Sequence, residues 1–132
     1  MRTATILLVD QDRQARDRLR DALQRHGHEV HLAASGEEAW EVLRGRLVDV
    51  VLMDLRLPAM SGQTLFHVTV SRWPELRSRV AILTEDPATH SNDPWVRLYQ
   101  LPVLRKPPHL PEILGAIAEL IADTPREANG ES

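Results

Sequence analysis

Four polar residues of this chain stand where short apolar runs stop. Asp10 follows Ile6-Leu7-Leu8-Val9, Asp54 follows Val50-Val51-Leu52-Met53, Thr84 follows Val80–Leu83, and Lys106 lies just past Pro102–Leu104. Carboxylates ligate a hard cation such as Mg²⁺, which takes oxygen ligands and keeps several waters. A cation and an ammonium neutralise the oxygens of a moving phosphoryl group, and a carboxylate serves as its nucleophile. Of the 16 basic residues, 15 are arginine and Lys106 is the single lysine. A compact ammonium addresses an oxyanion differently from a planar guanidinium. Taken singly, each residue has a plainer explanation. An aspartate after a strand is most often a cap or turn residue, and Thr84 is an ordinary strand end. Their joint placement is what points to phosphoryl chemistry.

The elements that must position them follow from periodicity. Thr5–Val9, Val48–Met53 and Val80–Leu83 are continuous apolar runs, as expected of strands buried on both faces. Glu29–Leu32 alternates and predicts a half-exposed edge strand, and Pro102–Leu104 predicts a short one. Asp12 can cap a helix with Ala15, Leu19, Ala22 and Leu23 at helical spacing, stopped by Gly27. Ser35-Gly36-Glu37-Glu38 is a capping box that opens a helix with Ala39, Trp40 and Leu43 inward. Ser61–Trp73 carries Leu65, Phe66, Val68 and Val70 and must end before Pro74. Asp86-Pro87 and Asn92-Asp93-Pro94-Trp95 predict that a fourth helix is short, late or broken. From Pro111, the residues Ile113, Leu114, Ile117, Leu120 and Ile121 form an apolar stripe to about Ala122. Residues 123–132 are polar and predict a disordered tail, so one domain spans 1–122.

Strands alternating with helices mean an α/β fold whose parallel sheet is covered on both faces. Ligands of such sheets bind beyond the carboxyl ends of the strands. Asp10-Gln11-Asp12, Ala33-Ala34, Asp54, Thr84-Glu85 and Lys106 therefore share one rim. The first loop, Val9-Asp10-Gln11-Asp12-Arg13, has no glycine and two carboxylates, which argues against a flavin or dinucleotide phosphate.

Composition removes other classes. The 132 residues include no cysteine, which excludes disulfides, thiolate metal sites and cysteine nucleophiles. The net charge of −3, with no dense basic run, argues against nucleic acid as a partner. No apolar run approaches the ~20 residues a bilayer needs. The expected setting is cytoplasmic, with no membrane partner.

The chain resembles a response-regulator receiver domain over residues ~4 to 122. The resemblance rests on Val9-Asp10, Met53-Asp54-Leu55 with Leu57-Pro58-Ala59-Met60-Ser61-Gly62, Leu83-Thr84, and Lys106-Pro107. It implies a flavodoxin-like, doubly wound sheet of five parallel strands in the order 2-1-3-4-5 with five helices. It implies that Asp54 is the phosphoacceptor of a two-component phosphorelay, served by a histidine kinase or histidine phosphotransfer protein. Asp10, Asp54 and the backbone carbonyl of Arg56 would hold Mg²⁺, with Gln11 at the remaining ligand position. Thr84 would turn its hydroxyl to the phosphoryl group and Lys106 would pair with it. The Lys106–Pro107 bond is expected to be cis. A downstream effector or a second copy of the chain would be the output partner. Such a domain signals; its only chemistry is self-phosphorylation and self-dephosphorylation.

Several positions depart from the family pattern. Gln11 replaces a second acidic residue, so Mg²⁺ is expected to bind weakly. Glu85 stands where the family has Ala or Gly, and would either repel a phosphoryl group or replace the missing metal ligand. The aromatic switch position is Val103, and Pro94 interrupts the fourth helix, the usual signalling face. Arg56 and Asp86 would flank the path of attacking water and could pair as a lid over the site. These departures keep open an alternative, a pseudo-receiver that docks partners without phosphorylation. A more remote alternative is a phosphohydrolase like the haloacid dehalogenases, with Asp10 as nucleophile and Asp12 as general acid. That family needs a further pair of carboxylates after its lysine, and here Pro107-Pro108-His109-Leu110-Pro111 offers none before Glu112, which falls on a helix. His26, His28 and His31 read as a solvated rim. Trp40, Trp73 and Trp95 read as packing residues, with Trp95 a candidate exposed contact.

Overall fold

The computed structural model describes residues 2–122, so the expected tail at 123–132 lies outside the described residues. The strands are β1 (Thr5–Val9), β2 (Glu29–Ala33), β3 (Val50–Asp54), β4 (Val80–Thr84) and β5 (Val103–Arg105). The helices are α1 (Arg13–Arg25), α2 (Gly36–Gly45), α3 (Gly62–Arg72), α4 (Pro87–His90), α5 (Pro94–Leu98) and α6 (Leu110–Ala122), with a 3-10 segment at Pro74–Ser78. All strand pairs are parallel and the order is β2-β1-β3-β4-β5. The chain reverses direction of winding at β1, beside β3. That switch point opens a crevice at the carboxyl ends of the two strands that carry Asp10 and Asp54.

The apolar runs become strands because β-branched and leucine side chains fill both faces. Alternate residues Leu7, Val9, Val51, Met53, Val80 and Ile82 belong to one core. Ile6, Leu8, Val50, Leu52, Ala81 and Leu83 belong to the other, beneath α1 and α6. Burying a side chain of this size is worth about 1.5–3 kcal/mol. The two cores therefore hold the strands, and with them the strand ends, in fixed register.

Local signals set the element ends. The Asp12 side chain accepts the Ala15 N–H at 3.2 Å, and Gly27 turns the chain at φ +91. Ser35 accepts the Glu38 N–H, while Glu38 reaches back to the Ala34 N–H at 2.8 Å. Between Asp86 and Leu98 the expected helix is broken in two, because prolines 87 and 94 each open a new turn. Five expected helices thus become six. Two residues differ from the sequence expectation in their surroundings. His28 is buried, not part of a solvated rim, and accepts the Ala4 N–H on Nδ1 at 3.0 Å. Trp95 is no exposed contact: it is buried 5.3 Å from the ring of Phe66. Trp40 and Trp73 pack edge to face at 5.1 Å, as packing residues.

Candidate functional site

Buried polar residues stand just past β1 and at the ends of β3 and β4: Asp10 is 3%, Asp54 7% and Thr84 6% exposed. Burying such groups is costly unless they are paired. Lys106 does the pairing, its Nζ lying 2.9 Å from Asp10 Oδ2 and 3.0 Å from Asp54 Oδ2. The other carboxylate oxygens are also engaged. Asp10 Oδ1 accepts the Asp12 N–H at 2.9 Å, and Asp54 Oδ1 accepts the Arg56 N–H at 3.1 Å. Thr84 Oγ1 accepts the Asp86 N–H at 3.0 Å. Lys106 is placed by β5 and by its own N–H, which donates to the Thr84 carbonyl at 2.8 Å, and the Lys106–Pro107 bond is cis.

Two anions share one cation, and this sets the electrostatics. Burial pushes the Asp54 carboxyl above its usual range and the Asp10 charge pushes the same way. The Arg56 N–H and Lys106 oppose them without prevailing. For Lys106, burial acts downward, but its hydrogen bonds and attraction to both aspartates outweigh it and hold the ammonium above its ordinary value. The asymmetry is physical: Lys106 meets two attractions, whereas Asp54 meets one attraction and one repulsion.

The loop after β3 reaches the site through a tight approach. A Cβ on Gly62 would lie 2.9 Å from Leu55 Cα and 3.1 Å from the Asp54 carbonyl oxygen, so only glycine lets α3 begin this close. Gly62 N–H donates to the Leu55 carbonyl at 3.0 Å, and Ser61 caps α3 through the Thr64 N–H. This contact fixes Arg56, whose carbonyl faces Gln11: Gln11 Nε2 donates to it at 3.0 Å.

The expected site residues fall into three groups. Asp10, Asp54, Thr84 and Lys106 meet as described. Gln11, Asp12, Arg56 and Glu85 line one cavity of about 370 Å³ with Asp54, Leu55, Thr84, His90 and Lys106. Glu85 is exposed and makes no ion pair among the described residues. Arg56 and Asp86 are both exposed and form no ion pair with each other. Asp86 instead turns onto the Thr89 N–H as the cap of α4, which also draws its carboxyl below the usual range. Val103 is half-buried on β5, packed at the border of the first core. His90 is the lining residue that periodicity did not single out. The break after it brings it to the rim, and only the prolines at 87 and 94 hinted at that.

The oxygen set present is Asp10, Asp54 and the Arg56 carbonyl, all hard donors of the kind Mg²⁺ takes. It fits such an ion. It has two carboxylates, and no cluster of three or more His, Cys, Asp or Glu suited to a metal occurs among the described residues. The Gln11 amide also occupies the carbonyl such an ion would use.

Residues 6–118 match the family described as Response regulator receiver domain. The chain belongs to that family. This receiver chain is 39% identical over 77 residues to the sensor kinase CckA of Brucella abortus, covering 57% of the chain and 8% of that protein. It is 30% identical to response regulator MprA of Mycolicibacterium vanbaalenii, over 96% of the chain and 54% of the relative. The chain thus spans about half or less of these curated relatives. Among solved structures, the signal receiver domain of an HD domain-containing protein from Pseudomonas fluorescens Pf-5 superposes with a TM-score of 0.79. That match is 28% identical and covers 92% of the receiver chain and 89% of the other. No helix among the described residues is long and apolar enough to cross a membrane.

Proposed function

We propose that this receiver is a working phosphoacceptor and that Asp54 takes a phosphoryl group from a histidine kinase or histidine phosphotransfer protein. The observation that carries the reading is the Lys106 ammonium held between the buried carboxylates of Asp10 and Asp54. A carboxylate oxygen of Asp54 attacks phosphorus, the phosphorus–nitrogen bond of the donor breaks, and the donor imidazole leaves. Lys106 then shifts from pairing two carboxylates to pairing the new phosphoryl oxygens, at no cost in ammonium burial. Thr84 donates its hydroxyl proton to the same oxygens while its Oγ1 goes on accepting the Asp86 N–H. Mg²⁺ held by Asp10, Asp54 and the Arg56 carbonyl would neutralise charge on the transferring group. Gln11 would join that set by turning its amide oxygen inward.

A second reading, a docking module indifferent to phosphorylation, draws support from Gln11 on the Arg56 carbonyl and from Glu85 at the cavity mouth. Borohydride reduction of protein treated with acetyl phosphate separates the two. An acyl phosphate at Asp54 is reduced to homoserine, which peptide mapping locates. Unreduced Asp54 in protein that carries label would move the acceptor elsewhere, and protein without label would favour docking.

A further inference from the structure

One wall of the Asp54 cavity has no part in accepting a phosphoryl group. His90 ends α4 and lines that cavity together with Asp54, Thr84 and Lys106. Its placement is built from the site outward. Thr84 Oγ1 holds the Asp86 N–H, the Asp86 carboxylate caps the Thr89 N–H, and the His90 N–H donates to the Asp86 carbonyl at 3.2 Å. α4 is a single turn, so the imidazole rides on a unit anchored to the strand end that carries Thr84.

The ring is also oriented. Asp93 precedes α5 at the position where an aspartate ordinarily caps a helix, yet its side chain caps nothing. Its Oδ2 lies 3.2 Å from His90 Nδ1. A carboxylate can only accept, so Nδ1 is the donor in this pair, and Nε2 is the nitrogen left to bear the lone pair whenever the ring carries a single proton. A base fixed by a third group is the arrangement that proton transfer requires. The charged groups around the cavity are Asp12, Asp54, Glu85, Arg56 and Lys106, with Asp86 on the helix itself.

We propose that His90, held by Asp93, takes the proton of the water that removes the phosphoryl group from Asp54. The inference rests on the phosphoacceptor reading. Water oxygen attacks phosphorus while one of its protons passes to Nε2. The bond between phosphorus and the Asp54 oxygen breaks, the carboxylate is restored, and inorganic phosphate leaves. His90 returns the proton to solvent. In this arrangement the lifetime of the signal is set by a residue of the broken helix.

The test starts from protein already labelled with acetyl phosphate and freed of donor, and follows loss of the phosphoryl mass with time. His90→Gln should slow that loss about a hundredfold, the low end of what a positioned base supplies. Asp93→Asn should slow it less, and the double variant should match His90→Gln alone. In heavy water, the wild-type decay should slow and the His90→Gln decay should not. Equal decay of His90→Gln and wild type, or an isotope effect that persists in His90→Gln, overturns the inference and leaves the phosphoacceptor reading standing. Wild-type protein that takes up no phosphoryl group overturns both.

Discussion

Gln11 and Arg56 are joined across the mouth of the site, the Gln11 Nε2 donating to the Arg56 carbonyl at 3.0 Å. The bond ties the loop after β1 to the loop after β3, the same two loops that a cation would bridge. It does so without charge. A metal ion must therefore displace a hydrogen bond and gains no third carboxylate in return.

Gln11→Asp should reverse both effects. Attraction at a protein surface is worth a few kcal/mol per close charge, so the Mg²⁺ dissociation constant should fall by at least about tenfold. The metal-free variant should melt below wild type, because the tie to Arg56 is lost and a third anion joins Asp10 and Asp54. Magnesium titration followed by tryptophan fluorescence, with melting in chelator, checks each half. An unchanged dissociation constant would assign the role to another group, with Glu85 next in line.

Asp54→Asn should stabilise the unphosphorylated protein. The Asp54 carboxyl sits above its usual range through burial first and the Asp10 charge second. A carboxyl raised in the folded state binds more protons folded than unfolded just above its ordinary value, so stability falls as pH rises through that window. Removing the charge should raise the melting temperature at neutral pH. The Lys106 ammonium has the companion sign: raised in the fold, it contributes stability below its ordinary value that is lost as pH climbs past it. Melting against pH for wild type and Asp54→Asn checks both directions.

His28 should contribute to acid sensitivity. Burial, then the charge of His26, holds its imidazole below the ordinary value, and Nδ1 accepts the Ala4 N–H. A histidine lowered in the fold supports stability above its unfolded value, and that support is lost as pH falls below it. His28→Asn, which keeps an acceptor for Ala4, should flatten stability between about pH 5 and 7, the range in which free histidine titrates. Urea melts across that range show the difference as a change in slope.

Trp95→Ala should detach the broken fourth helix. Trp95 is buried against Phe66, and Phe66 in turn lies 5.0 Å from Tyr99. Truncating a buried tryptophan costs about 3–5 kcal/mol. Amide exchange should rise across α4 and α5 before it rises in the strands, since Trp95 ties α5 to the first core and the second core does not contain it.

The sheet was legible because β1, β3 and β4 are runs of apolar residues that only a doubly covered sheet can bury. Asp10, Asp54, Thr84 and Lys106 were legible for the same reason, since the strand ends fix where each residue stands. What escaped was decided by tertiary contacts. His28 looked like one of three exposed histidines, but the Ala4 N–H needed an acceptor inside the fold. By position Arg56 and Asp86 could either pair as a lid or both face solvent, and Asp86 instead accepts the backbone N–H of Thr89, three residues on. His90 carried no signal beyond the prolines at 87 and 94, because the turn that aims it exists only once they break the helix.

The central claim is that Asp54 accepts a phosphoryl group, and intact-protein mass after incubation with acetyl phosphate and Mg²⁺ tests it most directly. Wild type should gain one phosphoryl group and Asp54→Asn none, with Glu85→Ala labelling faster than wild type as the repelling carboxylate at the mouth is removed. Label that survives in Asp54→Asn would contradict the assignment of the acceptor. Absence of label from wild type, Gln11→Asp and Glu85→Ala alike would contradict the claim itself and make the chain a docking module.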